Sequence, residues 1–330
     1  MKKVLLVLYL IVCSCFCVHG QSLDSLFVDV RGAFQQDFGN KQYSNNLRLD
    51  YFNLHIFGTI SPKINYRVRQ RFNVIIDSTN PFRATDWLSI NWKPNEKWTL
   101  SAGKGAILIG GYEYDAAPID VYYYSQFCDN LKQGFSFGAN VSYHFNEKQT
   151  LTFQVCNSPL TDGFTELYAY NLAWQGHIAP WWETLWSVNL VEDIGKKMMN
   201  YIALGNHMVF NKVFVDVDLL HRASFRQKNY FFTDYSIIAK AIWNIGRWNI
   251  CGKWGYEHNS AENVDADGIS YDSVLPAGKK YIYGGVGVEY FPLGNERLRL
   301  HLAFFGNDWD KMDVIQLGLK WKFYIINKNK

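Results

Sequence analysis

Apolar and polar side chains alternate along much of this chain in segments of about ten residues, and each segment ends in a turn-forming break. Between Phe135 and Phe145 every second residue is apolar or aromatic, and the residues between them are small or polar. The same alternation recurs over 298–304 and 315–323. A period of two places apolar side chains on one face of a β-strand and polar side chains on the other. We therefore predict an all-β chain whose strands separate an apolar environment from water.

The alternating segments predict about sixteen strands, most of them long enough to cross a bilayer at a tilt. The predicted strands are 26–36, 46–60, 64–74, 85–93, 97–104, 133–145, 149–157, 166–177, 184–192, 200–210, 213–222, 231–245, 247–257, 280–291, 296–306 and 313–323. Tight connections alternate with longer ones, which include 37–45, 75–84, 105–132, 158–165 and 258–279. Short turns at one rim and long loops at the other are typical of a bacterial outer-membrane protein. The predicted fold is a transmembrane antiparallel β-barrel with both termini at the short-turn rim.

The tryptophans favour this barrel over its main alternative, a large secreted β-sandwich, whose strands also alternate. Many lie beside tight turns or near the C-terminal end: Trp92, Trp98, Trp181, Trp182, Trp186, Trp243, Trp248 and Trp321. Because an indole ring is stable at a membrane interface, this row predicts an aromatic girdle at the short-turn rim. A sandwich offers no reason for such a row or for the regular alternation in loop length.

Residues 1–20 have the layout of a secretory signal peptide. Lys2 and Lys3 precede an apolar stretch over 4–12, and Val18-His19-Gly20 fits a small-residue cleavage site. The segment 12–15 resembles a lipoprotein site more loosely, which leaves lipoprotein processing as an alternative. We expect residues 21–330 to form a single barrel domain in the outer membrane of a Gram-negative bacterium.

Composition and charge exclude three other classes of protein. Apolar and aromatic residues make up 48% of the chain, which excludes disorder, since disordered chains combine low hydrophobicity with high net charge. Beyond residue 20 no apolar run reaches the roughly 18 residues of a spanning helix. The net charge of +3 offers no electrostatic case for nucleic-acid binding.

Three cysteines lie outside the signal segment, namely Cys128, Cys156 and Cys251. Their odd number and wide spacing match neither a disulfide framework nor a metal-ligand pattern. We expect three buried thiols and no metal or cofactor, and one disulfide with one free thiol is the open alternative.

The predicted strand 64–74 carries three arginines on its polar face, Arg67, Arg69 and Arg71, with Gln70 as a polar exception on its lipid face. In a membrane barrel the polar face points into the lumen, so the arginines form a ladder along one wall. Like charges in a row need water, counter-charges or passing anions to offset them. We interpret the ladder as an anion-attracting wall, as in anion pores. The alternative is a polar face whose arginines are all paired with carboxylates.

Other charged residues are predicted on the lumen wall, and the basic ones outnumber the acidic ones. The predicted bases are Arg31, Arg48, Lys240, Lys253, Arg297, Arg299, Lys320 and Lys322. The predicted acids are Asp29, Asp50, Asp216, Asp218 and Glu257. This excess predicts a mild preference for anions.

The longest predicted connection, 105–132, is the third long loop and is unusually rich in apolar and aromatic residues for a loop in water. We predict that it folds into the lumen and narrows the channel, and an external lid is the alternative. Its candidate constriction residues are Tyr112, Glu113, Tyr114, Asp115, Asp120, Tyr122 and Tyr124. Its three acids are expected to face the arginine ladder and create a transverse field, or simply to pair with the arginines.

A second long loop, 258–279, is acidic, with Glu262, Asp265, Asp267 and Asp272 preceding its first base, Lys279. We interpret it as a solvated outer loop. A divalent-ion site is the alternative, although the spacing matches no calcium-binding loop.

The chain resembles a Bacteroidetes-type outer-membrane porin and is similar to the phosphate-selective porin O and P family. The resemblance rests on residues 110–120 (GGYEYDAAPID), on residues 122–128 (YYYSQFC) and on residues 66–72 with their alternating arginines, with a weaker echo at 201–206. It implies a sixteen-stranded, trimeric porin in which inner-wall bases conduct anions, here Arg67, Arg69 and Arg71. The chain is shorter than typical members and carries acids in its constriction loop, so passive diffusion of small hydrophilic solutes is expected, with phosphate as one candidate.

Two other functional classes fit the sequence less well than a porin does. A barrel hydrolase is disfavoured because the scattered histidines match no nucleophile or metal motif. A transporter of hydrophobic solutes requires an apolar, plugged lumen, whereas the predicted inner faces are polar. A scaffold role in the outer membrane stays open.

Overall fold

The structure is a closed antiparallel barrel of sixteen strands. The computed structural model describes residues 22–39, 44–76, 80–163, 165–194, 197–225, 227–262, 264, 268, 270–272, 274–309 and 311–328. Each strand pairs with its sequence neighbour, and β1 closes the barrel on β16, for example with Ala33 opposite Gly318. Closure leaves no unpaired sheet edge, which is the condition for a sheet to span a membrane.

The strands are β1 (Ser22–Gly39), β2 (Ser44–Ser61), β3 (Ile64–Arg71), β4 (Thr85–Asn95), β5 (Trp98–Ala106), β6 (Phe135–Asn146), β7 (Gln149–Asn157), β8 (Tyr168–Ala179), β9 (Trp182–Asp193), β10 (Lys197–Phe210), β11 (Val213–Ser224), β12 (Asp234–Ile245), β13 (Trp248–His258), β14 (Lys280–Tyr290), β15 (Leu298–Asn307) and β16 (Met312–Asn327). The predicted fold class and strand number are confirmed. The ends differ most at β1 and β16, which run further than their alternating cores because they pair with each other along most of their length.

Loop length divides the two rims as the sequence indicated. Six of the seven connections at the rim that carries the termini contain two residues each, and the seventh is 291–297. The opposite rim carries the longer connections, including 72–84, 107–134, 158–167, 225–233 and 259–279. No helix among the described residues is long and apolar enough to cross a membrane. The predicted signal segment 1–20 lies outside the described residues.

The outward face of the barrel is apolar and exposed. Leu88, Ile90 and Trp92 on β4 are 42 to 51% exposed, and they alternate with inward residues. Six of the eight tryptophans predicted to form the girdle are exposed near the short-turn rim, namely Trp92, Trp98, Trp181, Trp243, Trp248 and Trp321. Gln70, the predicted exception, accepts a 2.7 Å hydrogen bond from Thr85 on β4 and so has a polar partner on the same face.

Part of the lumen is filled by an apolar cluster, which corrects the expectation that the inner faces are uniformly polar. Wall residues of β7 to β11 and β14, such as Val191 and Tyr201, pack there against the loops 107–134 and 259–279. Phe127 and Leu275 are loop members of this cluster, and both are 2% exposed. Open space lies beside the cluster, against β1 to β4 and β16 on one side and against β11 to β16 on the other.

Candidate channel lumen

The longest connection, 107–134, crosses the inside of the barrel. It holds two short helices, α1 (Tyr112–Asp115) and α2 (Gln126–Asn130), with a 3-10 turn at Pro118–Asp120 between them. Its first half forms hydrogen bonds with β7, β9 and β11, and its tip contacts β15, β16 and β1. Because it touches strands on several sides of a closed barrel, the loop occupies the interior and divides the free space there.

Two wall carboxylates anchor the beginnings of these helices. Asp218 on β11 accepts hydrogen bonds of 2.8 Å from the amides of the first two residues of α1, one to each oxygen. Glu257 on β13 accepts bonds of 2.6 and 3.1 Å from the first two amides of α2. The first amides of a helix have no partner within the helix, and a carboxylate is favourable there. The wall therefore positions the loop backbone directly.

The tip of the loop is fixed by charge. Asp120 forms ion pairs with Arg299 on β15, at 2.9 Å, and with Lys320 on β16. Arg31 on β1 donates bonds of 3.0 and 2.8 Å to the carbonyls on either side of Asp120. Burial raises the pKa of the Asp120 carboxyl, but Arg299 and Lys320 outweigh this effect and hold that pKa below its ordinary value.

The loop tyrosines hold it against the wall and against itself. Tyr122 donates a 2.7 Å hydrogen bond to Glu289 on β14, and Tyr123 accepts one of 2.7 Å from Asn307 on β15. Tyr114 donates within the loop, to the carbonyl of Gly134 at 3.3 Å. The two other tyrosines also reach wall residues, Tyr112 with His207 and Tyr124 with Tyr51.

The three arginines of β3 have different surroundings. Arg69 and Arg71 share the carboxylate of Asp86 on β4, at 2.8 and 3.1 Å. The Arg67 guanidinium instead lies 3.7 Å from the ring centre of Trp87 and 5.1 Å from that of Phe57. It has no carboxylate partner among the described residues. The aromatic faces support its charge without neutralising it.

Two cavities remain beside the loop, and they share Asp120, Glu296 and Lys320 in their linings. The ladder cavity, of about 330 Å³, lies against β1 to β4 and β16 and is lined by five bases and four acids. The bases are Arg67, Arg69, Arg71, Lys320 and Lys322, and the acids are Asp29, Asp86, Asp120 and Glu296. The second cavity, of about 250 Å³, has six acids against four bases. The lumen is therefore electrostatically asymmetric.

The expectation that the loop acids face the ladder is only partly met. Asp120 lines the ladder cavity, although its ion pairs are with Arg299 and Lys320. Glu113 turns away and pairs with Lys253 on β13 at 2.8 Å. Asp115 has no ion pair among the described residues. The reason is proximity, because the loop passes β11 and β13 before its tip reaches the basic wall.

The other predicted bases occupy varied positions. Lys240 lies opposite Asp216 in the strand register and lines the second cavity. The Arg297 guanidinium lies 5.4 Å from the ring centre of Tyr324. Arg48 is 47% exposed and pairs with Asp50. The side chains of these three residues are therefore more exposed than those of Arg31 and Arg299, which are buried against the loop.

Several important residues lacked a sequence signal. Asp86 follows a loop and gave no sign of its role as shared partner of two arginines. Asp272, expected in a solvated loop, is fully buried and pairs with the equally buried Arg222 at 2.8 Å, so that expectation is wrong for this residue. Asp265 and Asp267 lie outside the described residues. These ion pairs join residues from different strands and loops, so they become visible only when the pairing of the strands is known.

The three cysteines outside the signal segment form no disulfide in the structure. Cys156 is buried, Cys128 and Cys251 are half-buried, and all three are free thiols. Within the described ranges, no group of three or more His, Cys, Asp or Glu is arranged to hold a metal ion.

Known structures share this architecture. An anion-selective porin from Comamonas acidovorans superposes with a TM-score of 0.64 over 92% of this chain and 100% of its own, at 10% identity. This is a porin fold. The trimer form of OmpT of Vibrio cholerae gives a TM-score of 0.62 over 92% of this chain and 100% of its own, at 10% identity. The outer membrane channel DcaP of Acinetobacter baumannii gives a TM-score of 0.61 over 92% of this chain and 98% of its own, at 11% identity.

Part of the sequence is similar to a known protein family. Residues 28–184 match the phosphate-selective porin O and P family. No curated protein matches the sequence significantly. The matched range contains the arginine strand and the whole lumen loop, which are the segments that carried the resemblance in the sequence. The family match and the porin fold together support an outer-membrane channel.

Proposed function

We propose that the chain is an outer-membrane porin that lets small hydrophilic solutes diffuse passively and weakly prefers anions. The ladder cavity carries the proposal, because its bases outnumber its acids and Arg67 and Lys322 have no carboxylate partner among the described residues. The Lys322 ammonium, like Arg67, is supported by aromatic rings, with Phe27 at 4.4 Å and Tyr324 at 5.3 Å. Basic side chains without a carboxylate partner attract anions when they line a water-filled channel.

The preference is weak for a structural reason. Two carboxylates offset most of the charge of four wall bases. Asp86 pairs with Arg69 and Arg71, and Asp120 pairs with Arg299 and Lys320. The second cavity is acid-rich, so a cation also finds favourable contacts in the lumen. Bases on one wall opposite acids on another create a transverse field, which orients polar solutes as they pass.

We further propose that the active form is a homotrimer in the outer membrane, after removal of residues 1–20. The OmpT structure to which this barrel is similar is described in a trimer form. A stable trimer in mild detergent supports this part, and a monodisperse monomer that conducts contradicts it.

The decisive experiment is planar-bilayer conductance with a salt gradient. The proposal expects ohmic steps and a reversal potential of the sign that anion permeation gives. Absence of conductance would overturn the porin assignment, and clear cation selectivity would overturn the basic-wall mechanism. Replacing chloride by phosphate in the same bilayer tests phosphate as a permeant anion.

One observation favours the transporter of hydrophobic solutes as a second candidate, namely the apolar cluster within the lumen. Its members bury one another, so they fill space and do not line an open apolar path. Uptake of an apolar solute by proteoliposomes without ionic conductance would favour this candidate over the porin.

A further inference from the structure

The connection between β11 and β12, residues 225–233, folds back over the outer wall of the barrel. Tyr230 donates a 2.6 Å hydrogen bond to Oδ1 of Asn200 on β10. The rings of Tyr230 and Phe231 lie 5.4 and 5.6 Å from the ring of His221 on β11. Asn200 and His221 are sequence neighbours of lumen-facing residues, so their side chains point outward. The loop is thus held against the outer face by one hydrogen bond and two ring contacts.

This loop exposes three phenylalanine rings. Phe225, Phe231 and Phe232 are 60, 63 and 86% exposed. The ring centre of Tyr230 lies 6.0 Å from that of Phe225 and 5.0 Å from that of Phe231, so these three rings form one patch, and Phe232 is the next residue in the chain. A contiguous exposed aromatic patch marks an interaction surface, because isolated exposed apolar residues are common but clusters are not.

The most exposed of these rings is held in a strained backbone. Phe232 has a φ of 58°, in the left-handed region that bulky L-residues avoid. The next residue fixes this conformation, since Thr233 donates a 2.7 Å bond to the carbonyl of Asn229 and its own carbonyl lies 2.9 Å from Nδ1 of His258. The backbone is therefore organised so that Phe232 projects away from the protein.

The surroundings of the patch identify the partner. Leu219, two residues before His221 on the same outward face, is 42% exposed and belongs to the apolar band. The patch is therefore continuous with the surface that contacts lipid. Two exposed lysines flank it, Lys228 in the loop and Lys280, which lies opposite His258 in the strand register. Among the described residues they outnumber the one exposed carboxylate at its edge, Glu262, which accepts hydrogen bonds from Asn229. An apolar patch with lysines at its edge matches the acyl chains and the phosphate of an anionic lipid.

We propose that the loop 225–233 is a lipid anchor at the long-loop rim. Its phenylalanines insert among acyl chains, and Lys228 and Lys280 contact a phosphate group of an anionic membrane lipid. The proposal rests on the proposed function, because it requires that the barrel wall be embedded in a membrane.

Spin labelling tests the anchor. Single cysteines replace Phe232, Leu219 and Pro276 in turn, in the chain of residues 21–330 whose own cysteines, Cys128, Cys156 and Cys251, are changed to alanine. Pro276 is an exposed residue of another long-rim loop and serves as the water control, and Leu219 serves as the lipid control. Each labelled protein is reconstituted in phosphatidylcholine vesicles with and without phosphatidylglycerol. The ratio of nitroxide collisions with oxygen to those with a water-soluble nickel chelate is then measured.

We expect the ratio at position 232 to approach that at 219 and to exceed that at 276 several-fold. Phosphatidylglycerol should raise it further, and Lys228→Gln with Lys280→Gln should abolish that increase. A water-like ratio at 232 with a lipid-like ratio at 219 overturns the anchor alone, whereas water-like ratios at both overturn the membrane barrel. Dipolar broadening between labels at 232 overturns the lipid assignment in favour of a contact between two copies of the chain.

Discussion

Arg67 is the ladder residue whose loss should change ion selectivity most directly. Its charge has no carboxylate partner among the described residues and faces the ladder cavity. A charge about 5 Å from a passing ion contributes about 0.8 kcal/mol in a water-like dielectric, and about 0.1 M salt reduces this to roughly 0.5 kcal/mol. That energy changes the permeability of an anion about 2.3-fold and that of a cation about 2.3-fold in the opposite direction. Arg67→Gln should therefore lower the anion-to-cation permeability ratio about fivefold.

Reversal potentials in a KCl gradient measure this ratio. The matched control is the double variant Arg71→Gln with Asp86→Asn, which removes one base and one acid from the same wall and leaves the net charge unchanged. It should shift the ratio much less than Arg67→Gln. Arg67→Lys preserves the charge and should retain most of the preference.

The outcome that refutes this reasoning is an unchanged reversal potential in Arg67→Gln while the single-channel conductance stays normal. Anions would then pass elsewhere, and the ladder would have a structural role only. A shift as large in the charge-neutral control would show that pore shape, and not the net charge of the wall, determines selectivity.

The two loops that pack inside the barrel, 107–134 and 259–279, are held by wall residues whose replacement should have measurable effects. Asp218→Asn weakens the bonds to α1 and should cost about 1–3 kcal/mol, seen as added open-channel current noise and a lower Tm in detergent. Arg299 and Lys320 lower the pKa of Asp120 in the folded protein, so the Asp120 carboxylate stabilises the fold at every pH above its ordinary pKa of 3.8. This stabilisation is lost as the pH falls through the lower pKa that Asp120 has in the folded protein. Conductance should therefore be unchanged between about pH 7 and pH 5, and a change in that window that Asp120→Asn abolishes would contradict the assignment. Arg222→Met leaves Asp272 buried without its partner and should destabilise the barrel by about 3–5 kcal/mol in denaturant unfolding, and a stability equal to wild type would contradict it.

The strands and their faces were predictable because the information is local. In a segment such as 135–145, alternation alone separates the lipid face from the lumen face, whatever the segment pairs with. The turn-forming residues between these segments then determine the number of strands and the lengths of the loops, and the barrel has the sixteen strands that were predicted. The arginine ladder followed from the same rule, since Arg67, Arg69 and Arg71 share one face of β3.

The partners of these residues were not predictable, because they come from distant parts of the chain. Asp120 meets Lys320, which is 200 residues away, and Glu113 meets Lys253, which is 140 residues away. The composition of the loop indicated that it would pack inside, but nothing in it indicated which wall each acid would reach. Similarly, Arg67 differs from Arg69 only through its neighbours across the strands.

The sequence by itself determined a closed barrel with a lipid face, a polar face and a long apolar loop, because each of these depends on the order of residues within one segment. Tertiary structure alone decided that the loop is pinned at Asp120, that an apolar cluster fills part of the lumen, and that Asp86 neutralises part of the ladder. Charge pairing and packing depend on distances between strands. Those distances exist only once the barrel has closed.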